Sequence, residues 1–212
     1  MITNPKSEGE IEMGISLSKG QTINLSKDSG SSLTKVFMGL GWDPVVQKKG
    51  GFLGGIFGGG SRGGEDIDLD ASVIVLDSGK KVLDTVSFSQ LSSKDGSIRH
   101  GGDNLTGQGE GDDEVIYVDL TSLPYQATHL VFTVNSFRGQ TFDEVENAFA
   151  RLVDDTNQKE LCRYTLTEQG RHTGVVMASM SKGSDGWRMT AHGKPCQGRT
   201  VKDIAKDAVA IL

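Results

Sequence analysis

The sequence predicts a mainly β protein, an antiparallel β-sandwich of two sheets with a short C-terminal helix, and three features of its 212 residues point there. Apolar and polar residues alternate in many short runs, 29 glycines and clusters of Ser, Asp, Asn and Lys separate those runs, and only 4 prolines occur. Third, the alternating strand and helix pattern of a doubly wound nucleotide fold is missing. At this length about 70% of the unfolded surface can be buried, so a single domain over 1–212 needs no metal to staple it.

The strands follow in order. ISL at 15–17 and TINL at 22–25 open the series, then KVFMGLGW at 35–42, DLDASVIVL at 68–76 and KVLDTVSF at 81–88. VIYVDL at 115–120, HLVFTVNSF at 129–137, AFARLVD at 148–154, LCRYTL at 161–166, VVMASM at 175–180 and WRMTAH at 187–192 complete it. TFDEVENAF at 141–149 breaks the alternation and predicts one or two helical turns before the next strand. VKDIAKDAVAIL predicts an amphipathic helix at about 200–211, because Val201, Ile204, Ala205, Ala208 and Ile211 share one stripe that can dock on the core.

A glycine-rich insert at 48–64 stands apart. Residues 50–64 contain nine glycines around two apolar pairs, Phe52-Leu53 and Ile56-Phe57, and ordering so bare a backbone is entropically costly. The insert reads as a flexible loop, with a contact to a partner or a membrane surface through those four residues as alternatives. Gly58, Gly60 and Gly63 match G-x-G-x-x-G, but neither the strand before nor the helix after that such a fingerprint requires is present.

Composition excludes several functions. A net charge of −6 supplies no source for the counterion release that drives nucleic-acid binding. The N-terminus lacks a basic and apolar leader pattern, and no apolar run approaches membrane-spanning length, so the expected location is cytoplasmic, at most peripheral at the inner face of the membrane. Cys162 and Cys196 form no CxxC pair and read as two thiols of a reducing compartment. His100, His129, His172 and His192 are scattered, and no nucleophile elbow, zinc-protease or phosphate-loop motif occurs.

The acids, by contrast, are concentrated. Glu65, Asp66, Asp68 and Asp70 fill one window, and Asp103, Glu110, Asp112, Asp113 and Glu114 another, neither containing Lys or Arg. Asp103 to Glu114 has the length of an EF-hand loop, but Leu105, Gly107 and Gln108 stand at its third, fifth and sixth positions, and a strand follows instead of a helix. Calcium chemistry itself asks only for six to eight oxygens in flexible geometry, which this glycine-rich stretch can supply. Asp66, Asp68 and Asp70 alternate along a strand and share a face, which serves an ion site or a solvated outer face. Asp43 and Asp95 are candidates to join, Asp95-Gly96 being also an ordinary turn pair. His100 reads as a hydrogen bonder behind the acids or as a loop histidine.

Six stretches together resemble the TerD-like tellurium-resistance and stress-response proteins: GISLSKGQTINL at 14–25, GLGWD at 39–43, DLDAS at 68–72, DGSIRHGGDNLTGQGEGDDE at 95–114, ENAFARLVD at 146–154 and RYTLTE at 163–168. The resemblance implies a β-sandwich that binds calcium through its acidic loops, with a place in bacterial responses to tellurite and related stresses. Carried across, it implies ligands at Asp68, Asp70, Asp103, Asn104, Asp112, Asp113 and Glu114, with backbone oxygens near Leu105, Gly107 and Gly109. The expectation is a non-enzymatic calcium-binding scaffold or adaptor holding more than one ion, with protein partners. The alternative is a divalent-metal-dependent hydrolase or phosphate-ligand binder using the same carboxylates.

Overall fold

The computed structural model describes residues 14–28, 33–45, 67–102, 104 and 111–212. Twelve strands are found among them: β1 Ile15–Leu17, β2 Thr22–Asn24, β3 Lys35–Pro44, β4 Leu69–Leu76, β5 Val82–Val86, β6 Ile98–His100, β7 Glu114–Asp119, β8 His129–Ser136, β9 Val145–Asp154, β10 Lys159–Thr165, β11 Gly174–Gly183 and β12 Gly186–Cys196. Sheet A runs β1-β10-β9-β3-β7-β6 and sheet B runs β2-β12-β11-β8-β4-β5. The described pairings are antiparallel except β1 with β10. The Phe57-containing insert, with Phe52, Leu53 and Ile56, lies outside the described residues.

The two sheets face each other across one core. Val36, Met38, Leu40 and Trp42 of β3 and Ile116 and Val118 of β7 meet Leu69, Ala71, Val73 and Val75 of β4 and Leu130 and Phe132 of β8. Alternate residues therefore go inward, as the period of two dictates. Strand β7 shows the consequence for sheet A: buried and half-buried positions alternate along it, because among the described residues no element packs over its second face.

Sheet B differs, since every residue of β4 is buried. Its outward face packs against helix α2, Val201–Ala210, where Val201, Ile204 and Ala208 meet Ile74, Leu76, Val131, Val176 and Cys196. The helix start is fixed by Asp203, whose carboxylate accepts bonds from the Thr200 N–H and hydroxyl at 2.9 Å each. The predicted docking stripe is thus observed. Cys162 sits in the core between the sheets and Cys196 beneath α2, both as buried thiols without a disulfide.

Two short elements have no counterpart in the alternation. Helix α1, Leu25–Asp28, directly follows β2, and β6 carries only one apolar side chain, Ile98, followed by the polar Arg99 and His100. The break at 141–149 resolves into a single 3-10 turn at Phe142–Glu144, after which β9 starts three residues earlier than the apolar run suggests. Among the described residues, no helix is long and apolar enough to cross a membrane.

Candidate functional site

The GLGWD stretch of β3 explains where the acidic loop goes. Gly39 and Gly41 leave the middle of the outward face of β3 bare: a methyl at Gly39 would stand 2.3 Å from the Asp112 carboxylate, and one at Gly41 2.4 Å from the Phe149 ring and 2.6 Å from the Gly111 carbonyl. The end of the loop therefore lies directly on the strand, and the Asp113 N–H donates to the Leu40 carbonyl at 2.9 Å. Gly111 turns the chain there with φ at +101°, a conformation that other residues resist.

Asp112 is anchored by charge. Arg151 of β9 donates to both its oxygens at 2.7 Å, a bidentate pair whose hydrogen bonds push the guanidinium pKa further up. Arg151 also reaches Glu160 at 3.3 Å.

Glu114 is buried and joins the two sheets. At Ala71, β4 extends beyond its pairing with β5, which ends at Val73 opposite Val86, so a backbone N–H and carbonyl need other partners. The Ala71 N–H donates to Glu114 Oε2 at 2.7 Å, and His100 Nε2 lies 3.2 Å from both the Ala71 carbonyl and Glu114 Oε2. His100 Nδ1 accepts from the Gly102 N–H at 3.2 Å, which leaves Nε2 as the donor toward that pair. The histidine is a positioning group behind the acids, not a loose loop residue. Glu114 Oε1 accepts from the Asn104 N–H at 3.1 Å.

Asp113 stands between these anchors. The Trp42 N–H donates to its Oδ2 at 2.8 Å and the Asn104 side-chain amide to its Oδ1 at 2.8 Å. Burial pushes its carboxyl up to about 6, with the charges of Asp43, Glu114 and Asp112 adding to the effect against the Trp42 hydrogen bond. Asp43 is held in turn by the Asn147 amide at 2.8 Å. Asn147 takes a left-handed conformation, φ +53°, where the register of β9 against β3 shifts between Gly41 and Asp43.

The structure thus gathers Asp43, Asn104, Asp112, Asp113 and Glu114 at one end of sheet A. Asp70 of β4 and Asp68, the residue just before that strand, lie on the side of the other sheet and alternate in sequence with the core residues Leu69, Ala71 and Val73. Both are buried, so the solvated-face alternative is corrected: Arg138 meets Asp68 at 2.9 Å, and Asp70 lies across from Asn135. Asp95 sits apart in a turn, where burial raises its pKa but hydrogen bonds from Ser97 and Ser93 outweigh that and lower it. Asp84 is its charged neighbour there. Asp66, Asp103, Leu105, Gly107 and Gly109 lie outside the described residues.

The donor set around Asp113 fits a hard cation in kind, being carboxylate and carbonyl oxygen under an excess of negative charge. Among the described residues, no three His, Cys, Asp or Glu side chains are grouped so as to hold a metal by themselves. Asp112 is engaged by Arg151, a role the acid-rich motif did not reveal because its partner comes from a strand 39 residues away. The alternation of AFARLVD did place Arg151 opposite the core-facing Ala150 and Leu152.

Comparisons with known proteins agree with this architecture. The sequence matches the TerD domain over residues 13–207. It is 54% identical over 198 residues to tellurium resistance protein TerZ of Serratia marcescens, covering 93% of this chain and 98% of that protein. Stress response protein SCP2 of Bacillus subtilis (strain 168) is 41% identical, with 91% and 98% covered. The crystal structure of a homologue of telluride resistance protein (TerD) from Streptomyces coelicolor A3(2) superposes with a TM-score of 0.63 at 20% identity, covering 82% of this chain and 96% of that one, which bears on the fold alone. The chain belongs to the TerD domain family, among whose members are proteins named for tellurium resistance and stress response.

Proposed function

We propose that this protein is a non-enzymatic, cytoplasmic calcium-binding member of the stress-response machinery, in which the ion orders the 103–114 loop against sheet A. The observation that carries the reading is the gathering of Asp43, Asn104, Asp112, Asp113 and Glu114 at one end of sheet A, around an Asp113 carboxylate that burial and three neighbouring acids push up to about 6. A divalent cation beside it removes that repulsion and makes the ionised form favourable. Asp113 is the central ligand in this reading, with Asp43 beside it and loop oxygens from 103–109 completing the shell. Asp112, Glu114 and His100 position it through Arg151 and Ala71. Asp68 and Asp70 are candidates for a separate ion on the sheet B side. The loop surface fixed by the ion is the natural contact for a protein partner.

Thermal melting of chelated protein with and without millimolar calcium tests this. Calcium is expected to raise the melting temperature, and Asp113→Asn to remove most of that rise while Asp95→Asn leaves it intact. An equal rise in the wild type and in Asp113→Asn contradicts the assignment.

A further inference from the structure

Among the described residues, no element packs over the outward face of sheet A, and a recess of about 440 Å³ lies there where β3, β9 and β10 run side by side. Its walls have opposite character. On the β3 side, Asp43 offers a carboxylate whose Oδ2 is fixed by the Asn147 amide at 2.8 Å, leaving Oδ1 and the Asn147 carbonyl as acceptors. On the β10 side stand Arg163 and the hydroxyl of exposed Thr165.

Arg163 is held in place without being used up. Its guanidinium stacks on Phe149, 4.3 Å from the ring centroid, while Nε and Nη2 donate to Glu160 at 3.2 and 3.1 Å. Glu160 is shared with Arg151, so one carboxylate faces two guanidiniums, and the second Nη of Arg163 remains to donate into the recess. The strand register sets which groups share the recess. Phe149 of β9 pairs with Gly41 on one side and Thr165 on the other, so β9 lies between the acidic and the basic wall. An ammonium and a carboxylate on one small molecule complement walls of opposite charge.

The backbone is also adapted at this place. Asn147 holds its amide on Asp43 from a left-handed conformation at a β-bulge, and Gly41 is bare so that Phe149 and Gly111 can close the floor.

We propose that this recess binds a free α-amino acid as a zwitterion, its ammonium on Asp43 and Asn147 and its carboxylate on Arg163 and Thr165. Asp43 also flanks Asp113 in the calcium reading, so the two sites share that carboxylate, and the chelator arm of the experiment reads the recess apart from the ion. Calorimetric titration of the full chain in chelator, repeated with calcium, tests it using alanine and a panel of other proteinogenic amino acids, alanine amide and N-acetylalanine. Saturable binding of an unblocked amino acid is expected in chelator and weaker in calcium, which competes for Asp43; in chelator it is about tenfold weaker for each blocked form and for each of Asp43→Asn and Arg163→Gln. Failure of every amino acid to bind overturns the proposal. Equal binding of the amide makes the recess an amine site, and binding of the N-acetyl form equal to that of the unblocked amino acid, with or without calcium, makes it an anion or metal-bridged site; either overturns the proposal too. The blocked forms are compared on unaltered protein, so the test remains decisive even if a variant fails to fold.

Discussion

At the scale of single residues, the site is built from acids with separate duties. Asp112 and Glu114 are tied to an arginine and to a strand backbone, whereas Asp113 keeps the excess charge. Its folded pKa, about 6, lies above the ordinary aspartate value of 3.8, so the native state binds more protons between those values. That contribution to stability is complete below pH 4 and is lost as pH rises through 6. Without calcium, Asp113→Asn should therefore stabilise the protein at pH 7, by about 1 kcal/mol after discounting for solvent exposure, in a denaturant titration. His192 works the other way. Burial pushes its pKa down to about 4, so its contribution is intact above pH 6.5 and is lost as pH falls toward 4. Replacing His192 by Gln, which can still meet the Ser179 hydroxyl, should flatten the stability profile across that window. Neither shift was legible in the sequence, since each depends on burial and on groups brought together by the fold. The acid-rich string itself was legible because its composition is extreme.

At the scale of elements, strands were readable wherever one face meets the core and the other does not. The period of two in VIYVDL is the burial pattern of β7 itself. Strand β4 was readable as a strand, but the burial of Asp68 and Asp70 was not, because the cover over its outer face comes from α2 and from Arg138, far along the chain. Strand β6 escaped because three residues with one apolar side chain carry no period. Two substitutions check the packing. Gly39→Ala puts a methyl on the Asp112 carboxylate, and should cost about 1–3 kcal/mol in chemical denaturation and weaken calcium binding. Ile204→Ala empties the contact between α2 and sheet B, and should cost about 2–5 kcal/mol without changing calcium affinity.

At the scale of the molecule, the two sheets have different outer faces. Among the described residues, sheet B is closed by α2 and no element packs over sheet A, which carries Asn104 and Gly111 to Glu114 at one end together with the recess lined by Asp43 and Arg163. Residues 111–114 are held by glycines from β3, an arginine from β9 and a backbone pair from β4, so the ion proposed above would act on both sheets at once. The most direct test of that account is calorimetric titration of calcium into chelated protein, run in parallel on Asp113→Asn. Saturable calcium binding by the wild type, with affinity reduced at least about tenfold by the substitution, is the predicted result. Absence of calcium binding by the wild type, or identical isotherms for the two proteins, would contradict it.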